Sequence, residues 1–339
     1  VRDSFDKIRK RFDDIIEGLG IEFSLKPYLD RILYDLEGGA SVDYMASRGE
    51  YLSALVTAAY LGYKFIDAKD IVKFNPDGSF NAELTNELCA SELKKQGEKG
   101  VVVPGFYGQT VGGDIKTFSR GGSDVTGAIL ARAVNASVYE NWTDVDGFMT
   151  CDPRIVKDPE VIRMLTYREL RELSYMGANV LHPESIFPVR KSNIPIRIRN
   201  TFNPQSEGTM IVSTNSFLKG EYTRPKNTIT GIAGKTDFLA IHLEKQMMNN
   251  ECGFARKVLS VLEDYGINLE HMPSGIDTLT VVFESIDDAT VNRIMEDIRV
   301  TCEPDRMELV RNLALVAVVG HGMSRRIGTA MRICNSLYN

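Results

Sequence analysis

Three apolar stripes at helical spacing open the chain. Phe5, Ile8, Phe12, Ile15, Ile16 and Leu19 form the first, stopped by Gly18 and Gly20. Tyr28, Leu29, Ile32, Leu33 and Leu36 form the second, stopped by Gly38-Gly39. A third helix is predicted over about 41–61 and carries Arg48-Gly49-Glu50. Strand and helix periods then alternate through 65–68, 84–95, 101–106, 124–134, 137–142, 167–176, 196–199 and 209–212. Such alternation predicts an α/β fold, an open and largely parallel sheet between helix layers.

The pattern lapses into polar residues with Pro225 over 213–228, a predicted linker. Strands follow at 238–243, 267–271 and 279–283, helices at 253–265 and 287–298, and a last strand at 307–310. That β-α-β-β-α-β order predicts a ferredoxin-like α+β unit. A second copy starts at once: 314–319 reads as a strand, and Gly328, Ala330, Ile333 and Leu337 repeat the spacing of Gly253, Ala255, Val258 and Leu262. The sequence stops inside that helix. The expected boundaries are 1–212, a linker at 213–228, a first ferredoxin-like unit at 229–310 and the start of a second at 311–339.

At 339 residues, 43% apolar and 25% charged, the chain is long enough for two domains with proper cores. Its formal net charge of −6 argues against a nucleic-acid footprint. The basic cluster Lys7-Ile8-Arg9-Lys10-Arg11 is followed by Asp13, Asp14 and Glu17, as on a solvated helix face. No apolar run is long enough for a membrane span, and the start lacks a signal-peptide core. The five scattered cysteines include no Cys-x-x-Cys, which predicts reduced thiols in a cytoplasmic protein and no metal site.

One segment carries chemistry. Phe118-Ser119-Arg120-Gly121-Gly122-Ser123-Asp124 follows a predicted strand and runs directly into a helix. Glycines let the backbone approach an anion, and the free N–H groups of a first helical turn point at it. Arg120 adds a planar fork suited to a carboxylate or a phosphate. Asp124 falls in the first turn, where a carboxylate also favours helix initiation.

With these segments placed, the chain resembles the aspartate kinases (aspartokinases) of the amino-acid kinase superfamily. The matching runs are Phe118 to Asp124, then Trp142-Thr143-Asp144-Val145-Asp146-Gly147-Phe148-Met149-Thr150-Cys151-Asp152-Pro153-Arg154, then Gly177-Ala178-Asn179-Val180-Leu181-His182-Pro183. The resemblance spans nearly the whole chain, including tandem ACT regulatory domains. It implies transfer of the ATP γ-phosphoryl group, with Mg²⁺, to the side-chain carboxylate of L-aspartate, at the start of lysine, threonine and methionine biosynthesis. The family places the substrate α-carboxylate on Arg120 and its ammonium on Glu50, with Gly121, Gly122 and Ser123 beside them. Asp124 would organise the transferring phosphoryl group. Thr143, Asp144, Phe148, Arg154 and Asn179 would line the nucleotide site.

The resemblance also implies an amino-acid effector bound between ACT copies, and so at least a homodimer. Its expected contacts are Met248, Gly253, Phe254, Asn268, Leu269 and Glu270. Glu270 favours a cationic side chain, so lysine is the first choice and threonine the second. By themselves, Met247-Met248 read as packing and His182 as a structural residue. Three departures stand out. The Lys-Phe-Gly-Gly-Ser strand that opens the family is not in this sequence, Asn179 replaces a lysine, and Phe148 replaces a tyrosine. The alternatives are a sister kinase acting on glutamate, acetylglutamate or UMP, and a non-catalytic amino-acid sensor of the same fold.

Overall fold

Side-chain caps at Ser41, Asp67, Asn81, Ser213 and Asp287 mark where several helices of this chain begin. The computed structural model describes residues 2–97, 99–119, 121–178, 180–181, 186–222, 228–323 and 326–338. Its contacts divide the chain into two units: 1–174, 178–231 and 320–339 form the first, and 175–177 with 232–319 the second.

The first unit opens with α1 (Arg2–Leu19), α2 (Lys26–Glu37) and α3 (Val42–Leu61). The predicted stripes meet in one cluster of Phe5, Leu25, Leu29, Ile32, Leu52, Leu55 and Val56. Ser41 caps α3 by accepting from the Tyr44 N–H, and Gly62 ends it at φ 67°. Next come β1 (Lys64–Phe65), α4 (Ala68–Ile71), β2 (Lys73–Phe74), α5 (Ala82–Lys95), β3 (Val101–Val102), β4 (Tyr107–Thr110) and β5 (Ile115–Thr117). After these lie α6 (Gly122–Ala133), β6 (Tyr139–Thr143), β7 (Met164–Thr166), α7 (Tyr167–Tyr175), α8 (Phe187–Lys191), β8 (Ile196–Asn200), β9 (Thr209–Val212) and α9 (Thr214–Lys219).

Among the described residues, β1/β3, β2/β4, β6/β8 and β7/β9 pair in parallel, while β4/β5 and β8/β9 are antiparallel. The pairing is largely parallel, as expected, but falls into sheets of two, three and four strands. The β4–β5 hairpin was not anticipated. Part of the expected linker is the helix α9, capped by the Ser213 hydroxyl.

The second unit contains most of β10 (Gly231–Glu244), then α10 (Phe254–Asp264), β11 (Thr278–Glu284), α11 (Asp288–Cys302) and β12 (Arg306–Val319). The sheet order β11-β10-β12 is that of a ferredoxin-like unit, with alternate residues Leu239, Ile241 and Leu243 buried beneath α10 and α11. The strand expected at 267–271 is reduced to an edge contact, His271 bridging to Val282. The strands expected at 307–310 and 314–319 are one continuous β12. Asn312 at φ 56° supplies a bend, and no Gly or Pro breaks the run. Leu313 and Leu315 then cover Phe238, Ala240 and Val282 on the opposite face. α12 (Thr329–Tyr338) closes the chain with no buried residue.

A buried carboxylate ties three distant segments of the first unit. Thr166 and Glu169 form a capping box at the start of α7: the Thr166 hydroxyl accepts from the Glu169 N–H at 3.3 Å, and Glu169 Oε2 accepts from the Thr166 N–H at 2.8 Å. Glu169 Oε1 takes the Thr230 hydroxyl at 2.6 Å and the His321 N–H at 3.0 Å. The residue is only 6% exposed. Glu169→Ala strands the buried Thr166 N–H and the part-buried His321 N–H, at about 1–3 kcal/mol for a fully buried donor and less for the second. Urea unfolding should therefore show about 2–4 kcal/mol less stability for Glu169→Ala and a smaller loss for Glu169→Gln, which keeps one acceptor. Equal stability of all three proteins would rule out this network as a support.

Candidate active site

Helix α3 reaches the site through two anchors. Asp43, in its first turn, accepts from the Thr117 hydroxyl at 2.6 Å and from Lys116 Nζ at 3.0 Å, both on β5. Arg48, 7% exposed, lies against the rings of Tyr44, Tyr51 and Tyr107 at 4.4, 4.6 and 5.2 Å. Tyr107, on β4, donates to Asp67 at 2.7 Å. Glu50 follows Asp43 by seven residues, about two helical turns, so both lie on the side of α3 that faces the hairpin's exit.

β5 leads through Phe118 into α6, and here backbone meets backbone. Gly121 caps α6 at φ 56°, a left-handed conformation that costs other residues about 1–2 kcal/mol. Gly122 serves a different need: a Cβ there would lie 2.9 Å from Phe118 Cβ and 3.0 Å from Phe106 Cα. Glu50, Phe106, Gly121, Gly122, Ser123 and Asp124 line one cleft of about 290 Å³. Five of these were expected from sequence. Phe106 was not, although it holds a positive φ of 79°, a strained value for an aromatic residue. A larger hollow of about 1260 Å³ lies between α2, α3 and the β4–β5 hairpin, away from these motifs. Among the described residues, no group of three or more His, Cys, Asp or Glu could hold a metal ion.

Asp124 is anchored from inside. Its Oδ1 accepts from Asn141 Nδ2 at 2.8 Å, and its main-chain carbonyl accepts from the Tyr139 hydroxyl at 3.2 Å. Both partners lie on β6, which ends at Thr143. The Thr143 hydroxyl donates to Asp144 Oδ1 at 3.2 Å, and Asp146 Oδ1 accepts from Asn200 and Asn203 at 2.8 and 3.2 Å. The 144–147 turn is thereby pinned to the end of β8.

Two expected nucleotide contacts have other partners. Phe148 is 0% exposed, its ring inside the first unit and its N–H donating to Thr209 Oγ1 at 2.9 Å, so the ring offers no ligand-facing surface. The Arg154 fork is taken up by Asp152, with Nη2 at 2.6 Å and Nε at 3.0 Å, and this pair lowers the Asp152 carboxyl pKa. Arg120, Asn179 and His182 lie outside the described residues.

The expected effector residues separate by burial. Met248 and Phe254 are packed in the core of the second unit, 8% and 4% exposed, with little side-chain surface for a ligand. Gly253 caps α10 at φ 83°. Asn268 and Leu269 are exposed and Glu270 is half-buried, its N–H donating to the Val282 carbonyl at 2.9 Å.

The family model described as "Amino acid kinase family" matches residues 9–200. Aspartokinase 3 of Bacillus subtilis is 38% identical over 315 residues, covering 89% of this chain and 68% of the relative. The crystal structure of Clostridium acetobutylicum aspartate kinase superposes with a TM-score of 0.89 at 46% identity, over 100% of this chain and 76% of that one. Escherichia coli aspartokinase III in complex with lysine and aspartate (T-state) gives 0.65 at 25% identity, over 95% and 75%. The chain spans 41% of the chloroplastic aspartokinase 1 of Arabidopsis thaliana.

The two glycines make separable predictions. Gly122→Ala should cost about 2 kcal/mol or more, because backbone and Cβ atoms cannot give way. Gly121→Ala should cost about 1 kcal/mol, the left-handed penalty alone. Thermal unfolding of both variants measures the order; a smaller loss for Gly122→Ala would refute the close-approach argument.

Proposed function

Because the chain belongs to the amino acid kinase family, and within it to the aspartokinases, we propose that the protein transfers the γ-phosphoryl group of ATP to the side-chain carboxylate of L-aspartate. The observation that carries this reading is the convergence of Glu50 with Gly121, Gly122, Ser123 and Asp124 on one cleft. A carboxylate offers the substrate ammonium a partner, and the N-terminus of α6 offers its N–H groups to an anion. Arg120, adjoining this turn in sequence, would grip the α-carboxylate through its fork.

The chemistry asks little of a base. A carboxyl group of pKa about 3.9 is ionised at neutral pH, so its oxygen attacks the γ-phosphorus directly. The bond from that phosphorus to the β–γ bridging oxygen breaks, ADP leaves with the electron pair, and 4-phospho-L-aspartate forms without proton transfer. What must be overcome is repulsion between anion and polyanion, so positioning and cationic stabilisation dominate. Mg²⁺ would arrive on the nucleotide and neutralise phosphate charge. Magnesium binds through one or two carboxylates plus phosphate oxygens, so the nucleotide itself would supply much of its coordination. Thr143 and Asp144 would face the nucleotide, and Arg154 would join its phosphates by leaving Asp152.

The test is ADP formation by the intact protein from ATP and Mg²⁺, with L-aspartate, L-glutamate or UMP as acceptor. Only L-aspartate should support turnover. Arg120→Lys keeps the charge but loses the bidentate grip, so the KM for aspartate should rise about 10- to 100-fold with nucleotide affinity nearly unchanged. Turnover independent of aspartate, or collapse of nucleotide binding in this variant, would contradict the assignment.

We further propose cytoplasmic location, a homodimer or higher homo-oligomer, catalytic residues within 1–212, ACT regulation through 229–310, and a role in lysine, threonine and methionine biosynthesis. No helix among the described residues is long and apolar enough to cross a membrane. The relative crystallised with lysine supports lysine as effector, with threonine second. Asn268, Leu269 and Glu270 would contact it, and inhibition requires that lysine bind one assembly state more tightly than another. Lysine should inhibit the intact enzyme, and Glu270→Ala should raise the inhibitory concentration about tenfold. Unchanged inhibition in that variant would place the effector elsewhere.

A further inference from the structure

Residues 139 and 141 stand on the same face of β6, and that face looks onto the first turns of α6. Asn141 is a polar residue 9% exposed in the middle of a strand. Its Nδ2 donates to Asp124 Oδ1 at 2.8 Å and to the Tyr139 hydroxyl oxygen at 3.1 Å. The Tyr139 hydroxyl donates its own proton to the Asp124 carbonyl at 3.2 Å. Burial pushes that phenol up to about 12, so it stays a donor throughout the neutral range. α6 leaves room for the ring: a Cβ on Gly127 would lie 2.7 Å from the Tyr139 hydroxyl oxygen.

We propose that Asn141 is a positioning residue for phosphoryl transfer, holding the Asp124 carboxylate at the floor of the cleft. The amide can occupy its place in only one sense. Turned over, its carbonyl oxygen would meet the Asp124 carboxylate, oxygen against oxygen, and leave the Tyr139 oxygen without its donor. In the sense observed, the amide holds Oδ1 from the interior side, while Asp124 lines the cleft. The inference rests on the reading of Asp124 as the carboxylate that organises the transferring group.

The test uses the intact enzyme and four variants. Asn141→Leu keeps the volume and removes the donor; Asn141→Ser keeps a shorter donor. Asn141→Asp sets two carboxylates side by side, and Asp124→Asn is the reference. Asn141→Leu should lower kcat about 10- to 100-fold, with the aspartate KM within about threefold of wild type, and Asn141→Ser should recover part of the loss. Asn141→Asp should move the acid limb of the kcat profile up by about one pH unit or more, because two carboxylates in contact cannot both ionise freely. A structural role alone would not produce that shift, so this profile decides the matter if Asn141→Leu fails to fold. An unshifted profile, or wild-type kcat in Asn141→Leu with Asp124→Asn inactive, overturns this inference alone. Wild-type kcat in Asp124→Asn overturns the reading of Asp124, and this inference with it.

Discussion

The start of α6 can lie where it does only because Gly122 has no side chain. Phe106 Cα and Phe118 Cβ occupy the space a Cβ would need, at 3.0 and 2.9 Å, and across the same contact a Cβ on Gly105 would lie 3.0 Å from Ser123 Cα. This approach brings three things together: the free N–H groups of a helix start, the Asp124 carboxylate, and a strained Phe106. The strain at Phe106 is worth about 1–3 kcal/mol. It is held by hydrogen bonds on both sides, from Phe118 N–H to the Phe106 carbonyl at 2.9 Å and from Phe106 N–H to Thr126 Oγ1 at 3.2 Å. Thr126 in turn donates to the Gly122 carbonyl at 2.9 Å, closing the loop onto the glycine that allows it.

Glu50 reaches that cleft because α3 is fixed independently. Burying a guanidinium costs several kcal/mol, and a single cation–π contact returns about 0.5–2 kcal/mol. Arg48 meets three rings and adds hydrogen bonds to the Tyr44 carbonyl and the Ser47 hydroxyl, rather than relying on one partner. One of those rings belongs to β4, so the arrangement locks helix to hairpin. Asp43 repeats the lock on β5, with a neutral and a cationic donor. Arg48 and Glu50 are two residues apart, about 200° around the helix. Arg48 therefore anchors the far face while Asp43, on the Glu50 side, holds the helix's first turn against β5.

What could be read from sequence followed the strength of local signals. The helix at 124–134 and the strands at 137–142 and 209–212 were found within a few residues, since long periodic runs with clear stops outweigh context. The Gly121–Asp124 part of the cleft lining was legible because glycines before an aspartate at a helix start let a backbone approach closely. The β4–β5 hairpin was not, because strands of four and three residues carry no periodicity. The Thr166-Tyr167-Arg168-Glu169 capping box does have a sequence signature and could have been found. Phe148, Met248 and Phe254 failed for one shared reason. A family role was carried to an apolar side chain, and burial in the core took precedence. Asn141 gave no signal at all, since a polar residue in a strand looks the same whether it faces water or a carboxylate.

The two ends of the site differ in how firmly they are built. At the Asp124 end the Asn141 partner is buried, and removing it leaves the carboxyl group without that donor, which is costly. At the Arg154 end the guanidinium and its Asp152 partner are held on an exposed turn, where water screens the pair and exchange for a phosphate costs little. β6 joins them, with Asn141 fixed on Asp124 and Thr143-Asp144 emerging two residues later at the strand's carboxyl end, where ligands of α/β sheets bind. Under the proposed function, a rigid acceptor end and an exchangeable nucleotide end would suit a reaction in which the acceptor must be aligned before transfer and the nucleotide must leave after it.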